Sequence, residues 1–328
     1  MPLALLPPLQ KMDVVMETLS SLWTSFPGII DLLKSNYSWS QENLNFFMAV
    51  SAVMAVRAAD DKLRQSQSKG NPWMYNLTHA TLIGFGGGAF APLLLARPSG
   101  LLAGGDFVAL SSFVAYWLVF HSPFDVGYSV FSFLPLKIWT VLTSQLFKAG
   151  GICSYCNLGM GMFNATKYYP VPIMGPILTA TLLGNVGPVF RLGWSKWFEK
   201  GMPANFENGL WLGGFYHLYV NDTTGFLGVT LRSLIKSVPM VSEFLDTFFS
   251  SDEEFARVFV GFYMVAYGVL KLPEFLGPDF NPFPASKVVV TVLNLNSRDG
   301  PVAKKSKTKS KQAATAPATK KKKSKKVD

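Results

Sequence analysis

Charged residues are scarce in this 328-residue chain, and so are cysteine and histidine. Only 15% of its residues are charged, against about 25% in a typical soluble domain, whereas 49% are apolar. Two cysteines and three histidines leave little material for a disulfide framework or a metal site. The motifs of nucleophile elbows, zinc proteases and phosphate-binding loops are missing. These absences predict a polytopic membrane protein that is not an enzyme.

Basic charge is confined to one end of the chain. Residues 301–328 hold eleven lysines and one aspartate, which accounts for the whole net charge of +10. The remaining residues are neutral overall, so no nucleic-acid partner is predicted. The composition of the tail predicts disorder and attraction to anionic lipid. Lys325 and Lys326 have the spacing of a dilysine signal that returns proteins to the endoplasmic reticulum, although any lysine-rich tail can end this way.

Seven apolar stretches predict an all-α membrane protein, since a hydrocarbon core needs roughly 20 helical residues. The predicted spans are residues 42–59, 73–96, 106–121, 127–148, 170–192, 222–238 and 254–272. Lys and Arg in the short loops place the C-terminus in the cytosol. The predicted organisation is an amphipathic luminal lead-in (1–41), the seven-helix domain (42–272), a post-membrane segment (273–300) and a disordered cytosolic tail (301–328).

Glycine and proline interrupt the second and fifth spans, each the middle member of a set of three. The interrupting residues are Gly86, Gly87, Gly88 and Pro92 in the second span, and Gly184, Gly187 and Pro188 in the fifth. Helices broken at matching places in two halves point to a transport or permeation site. A break is tolerated where protein or a water-filled cavity satisfies the freed backbone groups. The alternative is that these glycines only allow close helix packing.

Ionisable residues within spans are candidates for the pathway or its gate. Lys137 falls near the middle of the fourth span, where it lines the pore or responds to voltage, or else forms a structural ion pair with Asp125. Arg191, near the end of the fifth span, either reaches the interface or joins the pathway. Arg232 lies within the sixth span, with an interior role as one alternative. Lys148 ends the fourth span and meets a lipid phosphate or is an ordinary interfacial lysine.

Two connecting segments are long. Residues 149–169 form a predicted glycine-rich loop that contains Cys153 and Cys156. The two thiols are incidental or form a local disulfide, with a redox or metal role as the alternative. Residues 193–221 hold several tryptophans and lysines, which predicts an interfacial loop.

Several short motifs, taken in order, resemble the trimeric intracellular cation (TRIC) channel family. Residues 121–125 (HSPFD) and 133–137 (FLPLK) are similar to the family's C-P-x-D and F-L-P-x-K. The glycines and the leucine run of residues 84–98 resemble a second family motif, and residues 205–207 (NFE) a third. The resemblance extends over residues 42–272 in order and spacing.

The resemblance implies a homotrimer with one pore in each protomer, built from two inverted three-helix repeats and one extra helix. It further implies a channel of the endoplasmic or sarcoplasmic reticulum membrane that passes monovalent cations, mainly potassium, as a counter-ion current during calcium release. The alternatives are a carrier with a three-plus-three repeat and a scaffold that transports nothing. Stoichiometric solute flux distinguishes the carrier, and dependence on the tail distinguishes the scaffold.

One departure from the family concerns its lipid. The family's fourth helix carries K-E-x-x-R, which binds a phosphoinositide head group, whereas the aligned residues here are Ser144, Gln145 and Lys148. Because such a head group prefers several basic donors, weakened phosphoinositide binding is expected. No other cofactor is expected.

Overall fold

The computed structural model describes seven stretches of the chain, and all of them are helical or connect helices. They are residues 27–31, 33–34, 41–66, 70–99, 106–187, 204–277 and 280–282. These stretches lie within one compact unit, Met1–Ser286. The predicted tail, with Lys325 and Lys326, lies outside the described residues.

Ten α-helices account for most of the described chain. They are α1 (Gln41–Gln65), α2 (Trp73–Leu94), α3 (Asp106–His121), α4 (Val126–Ser132), α5 (Leu134–Met162), α6 (Met174–Asn185), α7 (Ala204–Tyr216), α8 (Phe226–Lys236), α9 (Pro239–Phe248) and α10 (Asp252–Leu270). A 3₁₀ turn, Pro123–Asp125, joins α3 to α4, and a π turn, His217–Asn221, extends α7.

The first core forms around α1, which packs against α2, α3 and α5. Val50, Val53 and Val56 are spaced three residues apart and are each at most 2% exposed. That spacing puts them on one face of the helix. They pack with Tyr116 and Val119 of α3.

The second core surrounds α6, which packs against α2, α5 and α7, while α10 packs against α5. Tyr216 and Tyr219 are fully buried here with Ile152 and Val260. Small residues of α6, such as Ala180, are also fully buried and let the neighbouring helices approach.

The predicted fourth span, residues 127–148, is wrong. The chain leaves the helical conformation at Phe133, which has φ −61° and ψ 127°, and a new helix begins at Leu134. Pro135 stands in the first turn of α5, where a proline is tolerated because its missing N–H has no intrahelical partner. Pro135 therefore lies at the start of a helix, whereas the predicted span had placed it inside one.

The predicted loop at 149–169 is also largely helical, since α5 continues for 29 residues to Met162. Two of its glycines, Gly151 and Gly159, lie at contacts with α6 rather than at a turn. Cys153 and Cys156 are both buried within α5 and are not in a disulfide, so neither a loop position nor a local disulfide is present.

The predicted sixth span, residues 222–238, is wrong as well. The helix within it, α8, has 11 residues and follows an extended Gly225. At 1.5 Å per residue it reaches only about 16 Å, roughly half the hydrocarbon thickness. The long buried helix lies instead within residues 193–221, which had been predicted as a loop. There α7 and its π turn run from Ala204 to Asn221.

One helix among the described residues is long and apolar enough to cross a membrane, namely α2 with 22 residues. A second would be counted if α3 and the segment Pro123–Ser132 formed one span, but these are bent by 93°. The arrangement of seven spans therefore stays a prediction.

Candidate functional site: a glycine-lined helix crossing

Two glycines make the closest approach between α2 and the segment at the end of α6. A Cβ at Gly87 would overlap the carbonyl oxygen of Leu183, and a Cβ at Gly187 would overlap the carbonyl oxygen of Ile83. The contact is reciprocal, because each segment presents a carbonyl group four residues before its own glycine. Only glycine permits backbones to meet this closely.

The glycine contact extends to the other helices around α6. A Cβ at Gly151 of α5 would lie 2.5 Å from Cδ2 of Leu183, and one at Gly159 would lie 2.7 Å from Oγ1 of Thr179. A Cβ at Gly213 of α7 would lie 3.4 Å from the Cβ of Ala180. Leu183 thus packs between Gly87 and Gly151, and α6 packs against glycines of α2, α5 and α7.

The prediction of a broken second span is wrong, because α2 is continuous through Gly86, Gly87 and Gly88 and ends at Leu94. Gly86, Gly87 and Pro92 are buried in it, and a Cβ at Gly88 would meet no atom within 4 Å. The helix continues because its glycines fit against neighbouring backbone, which stabilises the regular conformation.

The break in the predicted fifth span is placed where the sequence indicated. Helix α6 ends at Asn185, and Val186 follows with φ −73° and ψ −20°. Gly184 lies in the last turn, and Gly187 makes the contact with Ile83. Pro188 and Arg191 lie outside the described residues, so their predicted roles stay predictions.

Lys137 lies in the first turn of α5 and not near the middle of a helix, which corrects its predicted depth. Its Nζ forms an ion pair with Glu274 Oε1 at 2.6 Å, and the two side chains are 29% and 39% exposed. The hydrogen bond from Lys137 holds the pKa of Glu274 below its ordinary value. Position and pairing both differ from expectation because Pro135 starts a helix here.

Asp125 was the predicted partner of Lys137, and the structure pairs it with Arg57 instead, at 3.3 Å. Arg57 also donates from Nη1 to the carbonyl oxygen of Val119 at 2.8 Å and from Nε to Asp61 at 3.2 Å. Its guanidinium lies over the ring of Tyr128, 5.0 Å from the centroid. Arg57 of α1 therefore links the end of α3 to the bend before α4.

Arg232 closes a helix end. It donates to the carbonyl oxygens of Tyr219 and Asp222 at 2.8 Å and of Thr223 at 3.0 Å. These carbonyls lie in the π turn and directly after it, where intrahelical partners run out. The contacts favour a capping role over the predicted role in the pathway.

The residues aligned with the family's lipid motif lie inside α5 rather than at a helix end. Ser144 is 1% exposed, and its hydroxyl donates to the carbonyl oxygen of Val141 at 2.9 Å. Gln145 packs against Gly268 of α10, where a Cβ would lie 2.5 Å from its Cγ. Lys148 is half-buried. Of the three positions, only Lys148 carries a cationic group, and the other two side chains make contacts inside the protein.

A polar seam between α7 and α10 was not predicted from the sequence. Tyr267 and Tyr263 donate to the side-chain oxygens of Asn205 and Asn208 at 2.9 and 3.0 Å. Glu207 is 2% exposed and accepts a hydrogen bond from Asn281 at 2.9 Å. The motif at 205–207 was noticed, but its partners lie more than 55 residues away along the chain, and no local pattern indicates them.

Within the part of the chain that the structure describes, no group of three His, Cys, Asp or Glu side chains is placed to hold a metal ion. The thiol of Cys156 lies 3.6 Å from the Asn221 amide and 3.9 Å from the Gly213 carbonyl oxygen. The cysteines therefore belong to the packing between α5 and α7.

Comparison with known proteins points to one family. Residues 63–192 match the family model described as TRIC channel, and this stretch includes both segments of the glycine crossing. The family model, the curated relatives and the solved structures together support membership of the TRIC channel family. That family consists of channels, in agreement with the prediction that the chain is not an enzyme.

Curated relatives agree over part of their length. The chain is similar to "Trimeric intracellular cation channel type B-B" of Xenopus laevis, with 27% identity over 49% of this chain and 50% of the relative. It is also 28% identical to "Trimeric intracellular cation channel type B" of Xenopus tropicalis over 39% of each protein. The matches thus span half or less of the length of these relatives.

The fold also matches a solved structure, a trimeric intracellular cation channel from C. elegans in the absence of Ca²⁺. The TM-score is 0.51 with 12% identity, over 75% of this chain and 97% of that one. At this identity the likeness concerns the fold alone. It supports the mostly helical TRIC-like architecture well beyond residues 63–192.

Proposed function

We propose that this protein is a cation channel whose pathway runs beside the glycine-lined crossing of α2 and α6. The observation that carries the proposal is the reciprocal contact of Gly87 with Leu183 and of Gly187 with Ile83, within a chain of the TRIC channel family. Backbone groups near a helix end that is packed this closely are suited to line a hydrated path. Permeation would use water and the carbonyl groups near the end of α6.

The proposed architecture has seven spans in two inverted repeats, α1 to α3 and α5 to α7, with α10 as the extra helix. The reciprocal glycine contact supports it, since a pseudo-two-fold axis between two repeats exchanges equivalent contacts. α2 and α6 are the middle members of the two repeats. This assignment replaces the predicted sixth span with α7 and its π turn.

The finer properties follow from the family and the relatives' names. We propose a homotrimer in the endoplasmic reticulum membrane, with a cytosolic C-terminus and a potassium current that balances charge during calcium release. The relatives are named trimeric intracellular cation channels, which supports trimer formation and cation transport. Lys325 and Lys326 would supply retrieval to the endoplasmic reticulum.

Lys137 is proposed to act in gating through its ion pair with Glu274, and not by lining the pore. The pair joins the start of α5 to the turn after α10. Lys137→Ala and Glu274→Gln should therefore change open probability in the same direction. Opposite effects, or an effect of Lys137→Ala alone, would contradict a role through the pair.

Phosphoinositide binding at Ser144, Gln145 and Lys148 is proposed to be weak. Two of the three positions lack a cationic group, and Ser144 is buried against its own helix. Vesicle co-sedimentation with and without phosphoinositide measures this directly. A strong dependence on phosphoinositide that Lys148→Ala abolishes would contradict the proposal.

The test of the proposed function is a recording from purified protein in a planar bilayer under a potassium chloride gradient. Discrete currents that reverse near the potassium equilibrium potential are expected. Silence from folded, inserted protein would contradict a channel. Stoichiometric solute flux in proteoliposomes would then identify the carrier, whereas function abolished only by deleting residues 301–328 would identify the scaffold.

A further inference from the structure

A half-open cavity of about 230 Å³ lies where α1 ends, α2 begins and α3 ends. Its α2 residues, Trp73 and Asn76, come before the glycine crossing in the same helix, and the proposed pathway does not use the cavity. Its lining combines buried polar groups, aromatic rings and charged side chains of both signs. A space of this size holds several water molecules or one small polar ligand.

Two residues that line the cavity carry buried hydrogen-bond acceptors. Asn76 is 1% exposed, and its Oδ1 has no hydrogen-bond partner within the described chain. Asp60, also 1% exposed, accepts from the backbone N–H of Asn71 and from Arg64 Nε, both at 2.8 Å. A carboxylate has further lone pairs to offer. A buried acceptor without a partner calls for a donor, so the ligand should carry N–H or O–H groups.

Aromatic rings form the adjoining wall. Tyr116 and Phe120 are stacked with ring centroids 4.7 Å apart. Trp73, which is 55% exposed, stands at the opening. Aromatic faces attract ammonium and guanidinium groups, and here they lie beside carboxylates. Acceptors and rings together suit an ammonium group.

Positive charge stands at the rim. The Arg64 side chain is 60% exposed, although its Nε bonds Asp60. An exposed guanidinium is a suitable ligand for phosphate. Arg57 and Asp61, paired at 3.2 Å, complete the set of two arginines and two aspartates. Such a balanced site favours a zwitterion over a bare anion or a multivalent cation.

The cavity lies at the level of lipid headgroups, provided that α2 crosses the membrane as proposed. Trp73, Met74 and Tyr75, in the first turn of α2, are all more than half exposed. Exposed aromatic residues at the start of an apolar helix typically lie at the membrane interface. A headgroup could enter from the side while its acyl chains stay in the bilayer.

We propose that this cavity binds the headgroup of a phospholipid that carries a primary ammonium beside its phosphate. The ammonium donates to Asn76 Oδ1 and the Asp60 carboxylate, with the ring of Tyr116 alongside. The phosphate meets the Arg64 guanidinium at the rim. This inference rests on the proposed membrane location, but it needs neither a pore nor ion flow.

The test compares two lipids with the same acyl chains, phosphatidylethanolamine and phosphatidylcholine. Choline has no N–H donor and so cannot bond Asn76. Lipid binding to the purified full-length protein in detergent is measured by native mass spectrometry. Phosphatidylethanolamine should bind about tenfold more tightly, the scale expected for one hydrogen bond that involves a charged group.

Asn76→Leu should abolish this preference and leave phosphatidylcholine binding unchanged. The matched control is Ser111→Ala, which removes another buried, unpartnered polar atom that does not line the cavity. If Asn76→Leu fails to fold, Arg64→Gln on the exposed rim gives the second measurement. It should weaken phosphatidylethanolamine binding about tenfold by removing the phosphate contact.

Two further measurements distinguish other occupants of the cavity. Glycerophosphoethanolamine should compete with the lipid, whereas glycerophosphocholine should not. Equal binding of the two phospholipids would overturn the proposal. Displacement of the lipid by potassium chloride alone would overturn it in favour of an inorganic cation site. Potassium currents together with equal binding of the two phospholipids would overturn only the proposed headgroup site. A preference for phosphatidylethanolamine without potassium currents would overturn only the proposed channel.

Discussion

The turn after α3 and the turn after α7 close two helix ends in different ways. In each, an arginine donates to a carbonyl oxygen two residues before the helix or π turn ends, Arg57 to Val119 and Arg232 to Tyr219. Arg57 comes from the neighbouring helix α1, whereas Arg232 comes from α8, which directly follows the turn. Carbonyls that lack intrahelical partners require such donors.

The aspartates in the two turns differ more than the arginines. Asp222 is fully buried and accepts from Gly225 N–H, Gly228 N–H and the Tyr169 hydroxyl. The Asp125 side chain is 57% exposed, and its carboxylate bonds only Arg57 among the described residues. Burial thus fixes the second aspartate, while one arginine from another helix holds the first.

The first turn also stores strain. Phe124 and Asp125 both have positive φ, 54° and 55°, and neither is glycine. Left-handed backbone costs such residues about 1–2 kcal/mol each. The bend between α3 and α4 is therefore the weaker of the two turns, and we expect it to open first.

The largest effect is expected at the buried aspartate. Asp222→Ala leaves three donors without an acceptor, two of them buried backbone N–H groups, and should destabilise the fold by about 3 kcal/mol or more. Thermal unfolding in detergent measures this. Tyr169→Phe is the control and should cost about 1 kcal/mol. Equal, small effects of both variants would show that Asp222 does not fix its turn.

Removing the arginine that holds the first turn should have the next largest effect. Arg57→Ala removes donors to Val119, Asp61 and Asp125 at once and should cost about 2 kcal/mol. Limited proteolysis should then cut first between α3 and α4. Arg57→Lys keeps the charge without the three-way geometry and should give an intermediate result. Unchanged proteolysis of Arg57→Ala would contradict a role in holding the bend.

Phe124→Gly should act in the opposite direction. Its side chain is 98% exposed, so little packing is lost, and glycine adopts positive φ without strain. A stabilisation of up to about 1 kcal/mol is expected, reduced by the added entropy of the unfolded chain. A lower unfolding midpoint would show that the turn is not strained or that Phe124 has an unrecognised partner.

The smallest effect is expected at the pair of Lys137 and Glu274. Both side chains are partly exposed, so Glu274→Gln should cost less than about 1 kcal/mol. Because the folded-state pKa of Glu274 is lowered from 4.5, the contribution is present above that pH and is lost as the pH falls below it. Wild type and Glu274→Gln should therefore converge in stability in acid. A constant difference down to low pH would contradict the pairing.

The sequence predicted correctly where local pattern and local structure agree. The boundaries of α2 and α3 lie close to those predicted, although α2 lacks the predicted break, and α6 ends at the predicted glycines. Positions 133–135 misled the prediction because a proline inside an apolar run reads equally as a kink or as a helix start. The backbone at Phe133 decides for a start.

The other wrong predictions share one cause. Whether a glycine lies in a loop or in a closely packed helix depends on tertiary contacts. Gly151 and Gly159 suggested a loop, yet they are the surface of α5 against which α6 packs. Gly209 and Gly213 likewise lie in the buried helix α7. The pairs Arg57–Asp125, Lys137–Glu274 and Glu207–Asn281 each join residues more than 60 positions apart, and pairing at that distance has no signature in a single sequence.

The central claim is that the crossing of α2 and α6 shapes a cation pathway, and two adjacent alanine substitutions test it. Gly87→Ala forces a Cβ into the Leu183 carbonyl, at a cost of about 1–3 kcal/mol, whereas a Cβ at Gly88 meets nothing within 4 Å. Potassium currents in planar bilayers should change in conductance or open probability for Gly87→Ala and match wild type for Gly88→Ala. Folded Gly87→Ala protein with wild-type currents would contradict the account.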